Sequence, residues 1–266
     1  MTTPSIQYCN ASKELYKQVI NYCELRNGTR FLPVVYYLHF VNHIVRDYIF
    51  RLLNKDTNVP QLEKTIEWFV NAVAECFSVT TGHRCRCCIK AAVVNNKRKK
   101  KKSVSQKVIA KVICRDKKTR TLLQAAQTVQ NDLQREHILS SNTDFAQIWD
   151  GNERFYVCND ILKAYANDEY INSSIDKSKV KIDKGEVIDW HLPYKSTLVV
   201  PIRSNFLFPK SKTENSYECW GFLCVDSNET NVFDSACLVE LAGSFADLFF
   251  QFLKISQEIE NDNSSV

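Results

Sequence analysis

Apolar residues recur every three or four positions through much of the first 80 residues, which is the spacing of one helix face. Between 33 and 54 they are Val34, Leu38, Val41, Val45, Tyr48 and Leu52. Pro33 is tolerated because a first helical turn has no use for its missing N–H. A shorter helix is predicted over 11–26 (Leu15, Val19, Ile20, Cys23) and ends at Asn27-Gly28. A third opens at Pro60, carries Leu62, Ile66, Phe69, Val73 and Phe77 on one face, and closes at Thr80-Thr81-Gly82. The period then changes to two, the alternation of a strand. Over 85–94 it sets Cys85, Cys87, Ile89, Ala91 and Val93 on one face, with Arg86 and Lys90 on the other. Over 107–115 it sets Val108, Ala110, Val112 and Cys114 together. Asn95-Asn96 and the run Lys97–Lys102 lie between and predict a hairpin tip. A helix is predicted over 119–135. Residues 136–192 mix aromatics with Asn, Asp and Ser at no clear period, and a stretch that long is a functional insert or holds short helices. The segments 196–203 and 219–226 are nearly continuous apolar runs, as central strands are, joined by the polar loop 204–218. A final helix over 234–258 carries Leu238, Leu241, Phe245, Leu248, Phe249 and Leu253.

Helices, two strands, an insert, two strands and a helix add up to an α+β domain with a central antiparallel sheet. The last third narrows this. Tyr194-Lys-Ser-Thr-Leu-Val-Val-Pro-Ile-Arg203, then Trp220-Gly-Phe-Leu-Cys-Val-Asp226, then Asn231-Val-Phe-Asp234 and a long apolar helix resemble the C-terminal half of a GAF domain. The resemblance covers about residues 60–256; it is strong from 194 onward and topological before that. It implies a GAF-like central antiparallel sheet flanked by helices, with an N-terminal helical extension. The expected organisation is 1–56 for the extension, 57–258 for the GAF-like domain and 259–266 for a disordered tail. GAF domains are cytosolic sensor modules that cup a small ligand and report it through their helices.

The formal charge of +5 is local rather than global: Lys97-Arg98-Lys99-Lys100-Lys101-Lys102 supplies it, and elsewhere acidic and basic residues nearly balance. A nucleic-acid-binding face spreads its basic residues and interleaves aromatics, so nucleic acid is not an expected partner. The longest apolar stretch, 31–53, is interrupted by His39, Asn42, His43, Arg46 and Asp47, which are costly inside a bilayer; no membrane span is expected. Eleven cysteines and a polar start after Met1 fit a reduced, cytoplasmic protein with thiols used as small apolar residues.

The resemblance implies that ligand lies between the sheet and the segment joining its second and third strands. That segment holds Asp144, Phe145, Trp149, Phe155, Asn159 and Asp160, ring faces beside short polar groups that read donor and acceptor patterns. Ser196 and Thr197, at the start of the third strand, can present hydroxyls to the same space. The same residues have structural readings: Asn142, Thr143, Asp144 and Asp160 are good helix caps. Arg203 could pair an anion or simply end its strand. Asn231, Phe233 and Asp234 echo part of the signature of cyclic-nucleotide GAF domains, but spacing and order depart from it. His83-Arg-Cys-Arg-Cys-Cys88 is the most reactive-looking cluster, since adjacent arginines lower thiol pKa values; its spacing is wrong for paired zinc knuckles. No phosphate-binding loop, dinucleotide motif or hydrolase triad order is present.

The sequence therefore predicts a non-enzymatic sensor domain without cofactor or metal. Its expected partners are a small polar or aromatic ligand, a second copy of the chain paired through helices 34–53 and 238–253, and a protein effector. One alternative is a redox enzyme or thiol sensor similar to free methionine sulfoxide reductases, using Cys85, Cys87 or Cys88. Another is a ligand-free adaptor whose pocket its own side chains fill.

Overall fold

The computed structural model describes residues 32–56, 59–95, 107–126, 136–149, 153–203 and 219–264. The helix expected over 11–26, the basic run 97–102, the loop 204–218 and the second half of the helix expected over 119–135 lie outside them.

Two helices lead. α1 (Leu32–Leu53) buries Val34, Leu38, Val41, Val45, Tyr48 and Ile49, and α2 (Leu62–Thr81) buries Ile66, Phe69, Val70, Val73, Cys76 and Phe77 among others. Gly82 ends α2 in the left-handed conformation at φ 73°, its N–H donating to the Ser78 carbonyl. Ser78 Oγ in turn accepts from the Cys85 N–H at 3.0 Å, so the helix end is tied to the start of the first strand. β1 (Cys85–Asn95) and β2 (Lys107–Arg115) follow, then α3 (Lys117–Ala125). The insert comprises β3 (Glu136–Ile138), α4 (Thr143–Trp149), β4 (Tyr156–Cys158), α5 (Ile161–Ala166) and a separate hairpin of β5 (Lys181–Asp183) and β6 (Glu186–Asp189). β7 (Ser196–Arg203), β8 (Cys219–Ser227) and α6 (Ala236–Ser264) complete the chain.

Six strands form one sheet in the order β3-β2-β1-β8-β7-β4, antiparallel at every pairing described. One face is covered by α1, α2 and α6 in a single core with Cys85, Cys87, Ile89, Leu198, Val200, Leu223 and Val225. Phe245 and Phe249 of α6 are fully buried and pack on Phe69 of α2; each such ring contributes about 2–3 kcal/mol by leaving water. The other face carries a smaller core of Cys88, Ala110, Val199, Phe222 and Cys224 beneath Leu139, Phe145, Ile148, Tyr156 and Ile161 of the insert. The fold is thus α+β and GAF-like: a central antiparallel sheet with helices on one side and the insert on the other.

Three details differ from the sequence reading. α1 shares the core of α2, α6 and the sheet, so a boundary at 56 separates no independent core. α6 runs on from 258 to Ser264, because Ile255 and Ile259 still pack against that core. And β2 does not keep one face throughout. Its register against β1 jumps from Ile89↔Cys114 to Lys90↔Val112, which leaves Ile113 as the extra residue of a bulge. Ala110 faces the insert core while Cys114 joins the helix-side core.

Candidate functional site: a charged cavity between sheet and insert

A strand register fixes which side chains meet across a sheet, because directly opposed residues share a face. Arg86 opposes Asp226, and Asp226 opposes Thr197. One step along, Arg115 opposes Cys88, Cys88 opposes Cys224, and Cys224 opposes Val199. Lys90, two residues beyond Cys88, lies opposite Phe222. All of these except Phe222 line one cavity of about 370 Å³. The bulge matters here: it turns Arg115 toward the cavity row, where unbroken alternation would place it on the helix side.

The walls come from two neighbours. α3 supplies Thr119, Leu122, Leu123 and Ala126. Asp116 anchors it, accepting from Thr119 N–H at 2.9 Å, Thr119 Oγ1 at 2.6 Å and Cys87 N–H at 3.2 Å. The insert supplies His137, Asp144, Asn172, Ser174, Leu192, Pro193 and Tyr194. Its lack of period is explained by how it is held. Asn142 Nδ2 donates to the Ile138 carbonyl and Asn142 Oδ1 accepts from the Ser173 N–H and hydroxyl. Asn172 Nδ2 donates to the Tyr170 and Tyr194 hydroxyls at 3.0 and 3.3 Å. Trp190 Nε1 donates to the Tyr194 carbonyl at 2.9 Å. Side chains, rather than a repeating backbone pattern, fix this roof.

Burial governs the electrostatics. The Asp144 carboxyl is pushed up to about 6 by desolvation, against the pull of Lys90 and the Phe145 N–H. Asp226 is raised by the same cause, while the Thr197 hydroxyl, donating at 2.6 Å, and Lys90 pull it down. Burial also raises the Tyr170 and Tyr194 hydroxyls well above their ordinary range. Cys88 stands apart. A hydrogen bond with Cys224 and the charges of Arg115 and Lys90 hold it below the usual thiol value in spite of burial, and Cys224 is displaced well above. On the helix side burial pushes Cys85 up to about 11, Cys114 to about 12 and Cys87 well above its ordinary value.

Of the ligand-contact residues expected from the sequence, Asp144 and Thr197 reach the cavity, and of the cysteine cluster Cys87 and Cys88 border it. Phe145 is fully buried beside it, its ring 4.7 Å from that of Phe222 with the Lys90 ammonium 4.6 Å from its centroid. Ser196 donates to the Glu229 carbonyl at 2.7 Å. Asn159 Oδ1 accepts from Phe233 N–H at 2.7 Å and seats the buried Phe233. Asp160 caps α5, accepting from Lys163 N–H at 3.0 Å. Trp149 and Phe155 are 36 % and 39 % exposed and line no part of the cavity; nor does Arg203. The cysteine cluster divides between the two faces: Cys85 and Cys87 belong to the helix-side core, Cys88 to the insert side. Sequence reasoning passed over Arg115, Cys224, Asp226, Asn172 and Tyr194 as site residues. The available signal was charge inside strands: Arg86, Lys90 and Asp226 interrupt apolar runs on the face opposite the helices.

Sheet order, helices on one face and a ligand-sized cavity under an insert on the other define a GAF-like domain. No protein-family model matches the chain, and no curated protein does. Among solved structures it is similar to residues 122 to 287 of a methyl-accepting chemotaxis protein, at 15% identity over 79% of this chain and 97% of that one, with a TM-score of 0.41. It is also similar to a far-red-absorbing dark-state protein with bound biliverdin, at 12% identity over 82% and 99%, with a TM-score of 0.32. The chromophore-binding domain of a Stigmatella aurantiaca bacteriophytochrome aligns at 13% identity over 86% and 62%, with a TM-score of 0.39. The fold assignment itself rests on strand order and layering.

Proposed function

We propose that this chain is a non-enzymatic sensor domain whose cavity takes a small molecule carrying an acidic group on an apolar, ring-sized body. The observation that carries the reading is the pair Arg86 and Lys90. Both line the cavity, and among the described residues neither side chain makes a hydrogen bond or an ion pair, the Lys90 ammonium resting over the Phe145 ring. Cations turned into a partly dry space are costly unless something compensates them. In spite of burial, Lys90 is held above its ordinary value by Cys224, Cys88 and Asp144 and stays charged, whereas burial lowers Arg86 and the nearby Asp226 and Asp116 do not offset it, so Arg86 above all needs an anion to offset its burial. A carboxylate or phosphate would do so. Leu122, Leu123, Leu192, Pro193, Tyr194 and Val199 offer apolar surface for the rest of the ligand. Asp144, Thr197 and Asn172 can accept from or donate to its edges.

Occupancy would draw the insert and α3 onto the sheet, and the helices behind the sheet would pass the change to an effector or a second copy in a cytoplasmic setting. The test is calorimetry and thermal shift on the full chain with benzoate, indole-3-acetate, adenosine monophosphate and inorganic phosphate, each paired with an uncharged analogue where one exists. Binding by an acid-bearing member, weakened about 10-fold or more in Arg86→Gln and Lys90→Met, supports the reading. Equal affinity in both variants, or no binding by any acid in the panel, overturns it.

A further inference from the structure

Cys88 and Cys224 lie directly opposite each other on the two central strands, and both line the cavity. We propose that they form an oxidisable dithiol pair, with a small hydroperoxide entering the cavity as oxidant. The geometry suits a disulfide. Directly opposed residues of antiparallel strands have Cα atoms about 4.5–5.5 Å apart, inside the span of about 4.4–6.8 Å that a disulfide bridges. The surroundings suit a thiolate: Arg115 is the partner of Cys88 on its other flank, and Lys90 stands two residues along the same strand face. The remaining buried cysteines near the sheet have no such setting. Cys85, Cys87 and Cys114 belong to the helix-side core, and although Cys87 also borders the cavity, none of the three lies opposite another cysteine. The cavity gives access, since its rim includes the exposed residues Leu122, Ala126 and Pro193.

In the first step the Cys88 thiolate attacks one peroxide oxygen. The S–O bond forms, the O–O bond breaks, and the departing oxygen takes a proton to leave as water or an alcohol. Cys88 is thereby oxidised by two electrons to a sulfenic acid, and the peroxide is reduced. In the second step Cys224, giving up its proton, attacks the Cys88 sulfur. The S–S bond forms and the S–O bond breaks, releasing hydroxide that takes that proton and leaves as water. The product cross-links β1 to β8 across the floor of the cavity, and a thiol reductant restores it. This goes beyond the ligand-binding reading and does not depend on it.

The experiment treats reduced, ligand-free full-length protein with stoichiometric hydrogen peroxide or tert-butyl hydroperoxide, blocks remaining thiols, and maps peptides by mass spectrometry with fragmentation. The expected result is a Cys88–Cys224 link, two hydrogens lighter than the dithiol, that disappears after dithiothreitol. Cys224→Ser should instead leave a Cys88 sulfenic acid captured by dimedone, and Cys88→Ser should react at least about 10-fold more slowly at this site. Because the wild-type map needs no variant, a misfolded variant leaves the test intact. Oxidation confined to Cys237 or other cysteines, with Cys88 and Cys224 still thiols, overturns the proposal.

Discussion

At the scale of single residues, Asp144 shows how a capping position can become part of a site. It sits in the first turn of α4, and its Oδ1 accepts from the Phe145 N–H at 2.9 Å, as a residue of that type near a helix start does. Yet it is 4 % exposed and lines the cavity. Its carboxyl, ordinarily near 3.8, is pushed up to about 6 by burial. The native state therefore keeps this proton to a higher pH than the unfolded chain does. The stability associated with it is fully present below about pH 4 and is lost as pH rises through about 6, a loss of about 3 kcal/mol at most. Asp144→Asn cannot ionise and should escape the loss. Urea unfolding at several pH values should show the variant close to wild type at pH 4 and more stable than wild type at pH 7.5. A wild-type-to-variant difference that stays constant from pH 4 to 7.5 would refute the burial argument. Asp144 and Thr197 reach the cavity, but the same reasoning also chose Ser196, Asn159 and Asp160, whose side chains bond within the fold, because short polar groups in the insert and at a strand start serve caps and turns as readily as a site. Arg86, Lys90 and Arg115 were not legible as a group, since their meeting depends on strand register and, for Arg115, on a bulge.

At the scale of elements, regular periods were readable and irregular ones were not. α1, α2, β1, β2, β7 and β8 fall within a residue or two of where helical spacing, alternation and continuous apolar runs place them, because the helices bury one long stripe each and β7 and β8 are buried on both faces. β3, α4, β4 and α5 have three to seven residues each and are held by Asn142, Asn159 and Asn172 through side-chain bonds that leave no period. The bulge in β2 was hidden for a related reason: both residues that flank it, Val112 and Cys114, are apolar, so the pattern reads straight through. Glycine gives a sharp test of how closely the central strands meet. A Cβ on Gly221 would run into the backbone carbonyl of Lys90 and lie 2.9 Å from Ala91 Cα, and backbone inside a sheet cannot step aside. Gly221→Ala should therefore cost more than about 3 kcal/mol, at the severe end for a single substitution, by forcing β1 from β8. Gly243, within α6, has nothing within 4 Å of such an atom; Gly243→Ala should stabilise by about 0.5–1 kcal/mol through helix propensity. Denaturant unfolding of both variants checks the pair, and similar effects of the two would show that the β1–β8 contact is looser than described.

For the whole molecule, the helix layer decides which surface remains for another chain. α6 contains a stretch, Ala236–Ile259, long and apolar enough to cross a membrane by length and composition, but half of its most apolar window is buried, and Phe245, Phe249 and Phe252 sit in the core against α1 and α2. The apolar face of α6 is thus consumed inside the fold, and the pairing surface expected over 238–253 is not available there. α1 differs. Beyond its buried stripe it exposes Leu32, Tyr36, Phe40, Phe50 and Leu53, with the rings of Tyr36 and Phe40 stacked. One helix carrying apolar residues on both sides suits a partner of the same kind, because a second α1 laid antiparallel repeats each contact about a two-fold axis. Removing several such side chains from water at about 25 cal/mol per Å² favours association. Light scattering on the full chain at tens of micromolar should therefore return twice the 30.8 kDa chain mass. Tyr36→Glu with Phe50→Glu should return the single mass, with a melting temperature lowered only by the loss of that association, since both positions lie outside the core. A wild-type protein that stays at 30.8 kDa throughout this range would leave α1 without its proposed partner and move any output of the proposed sensor to an effector of another kind.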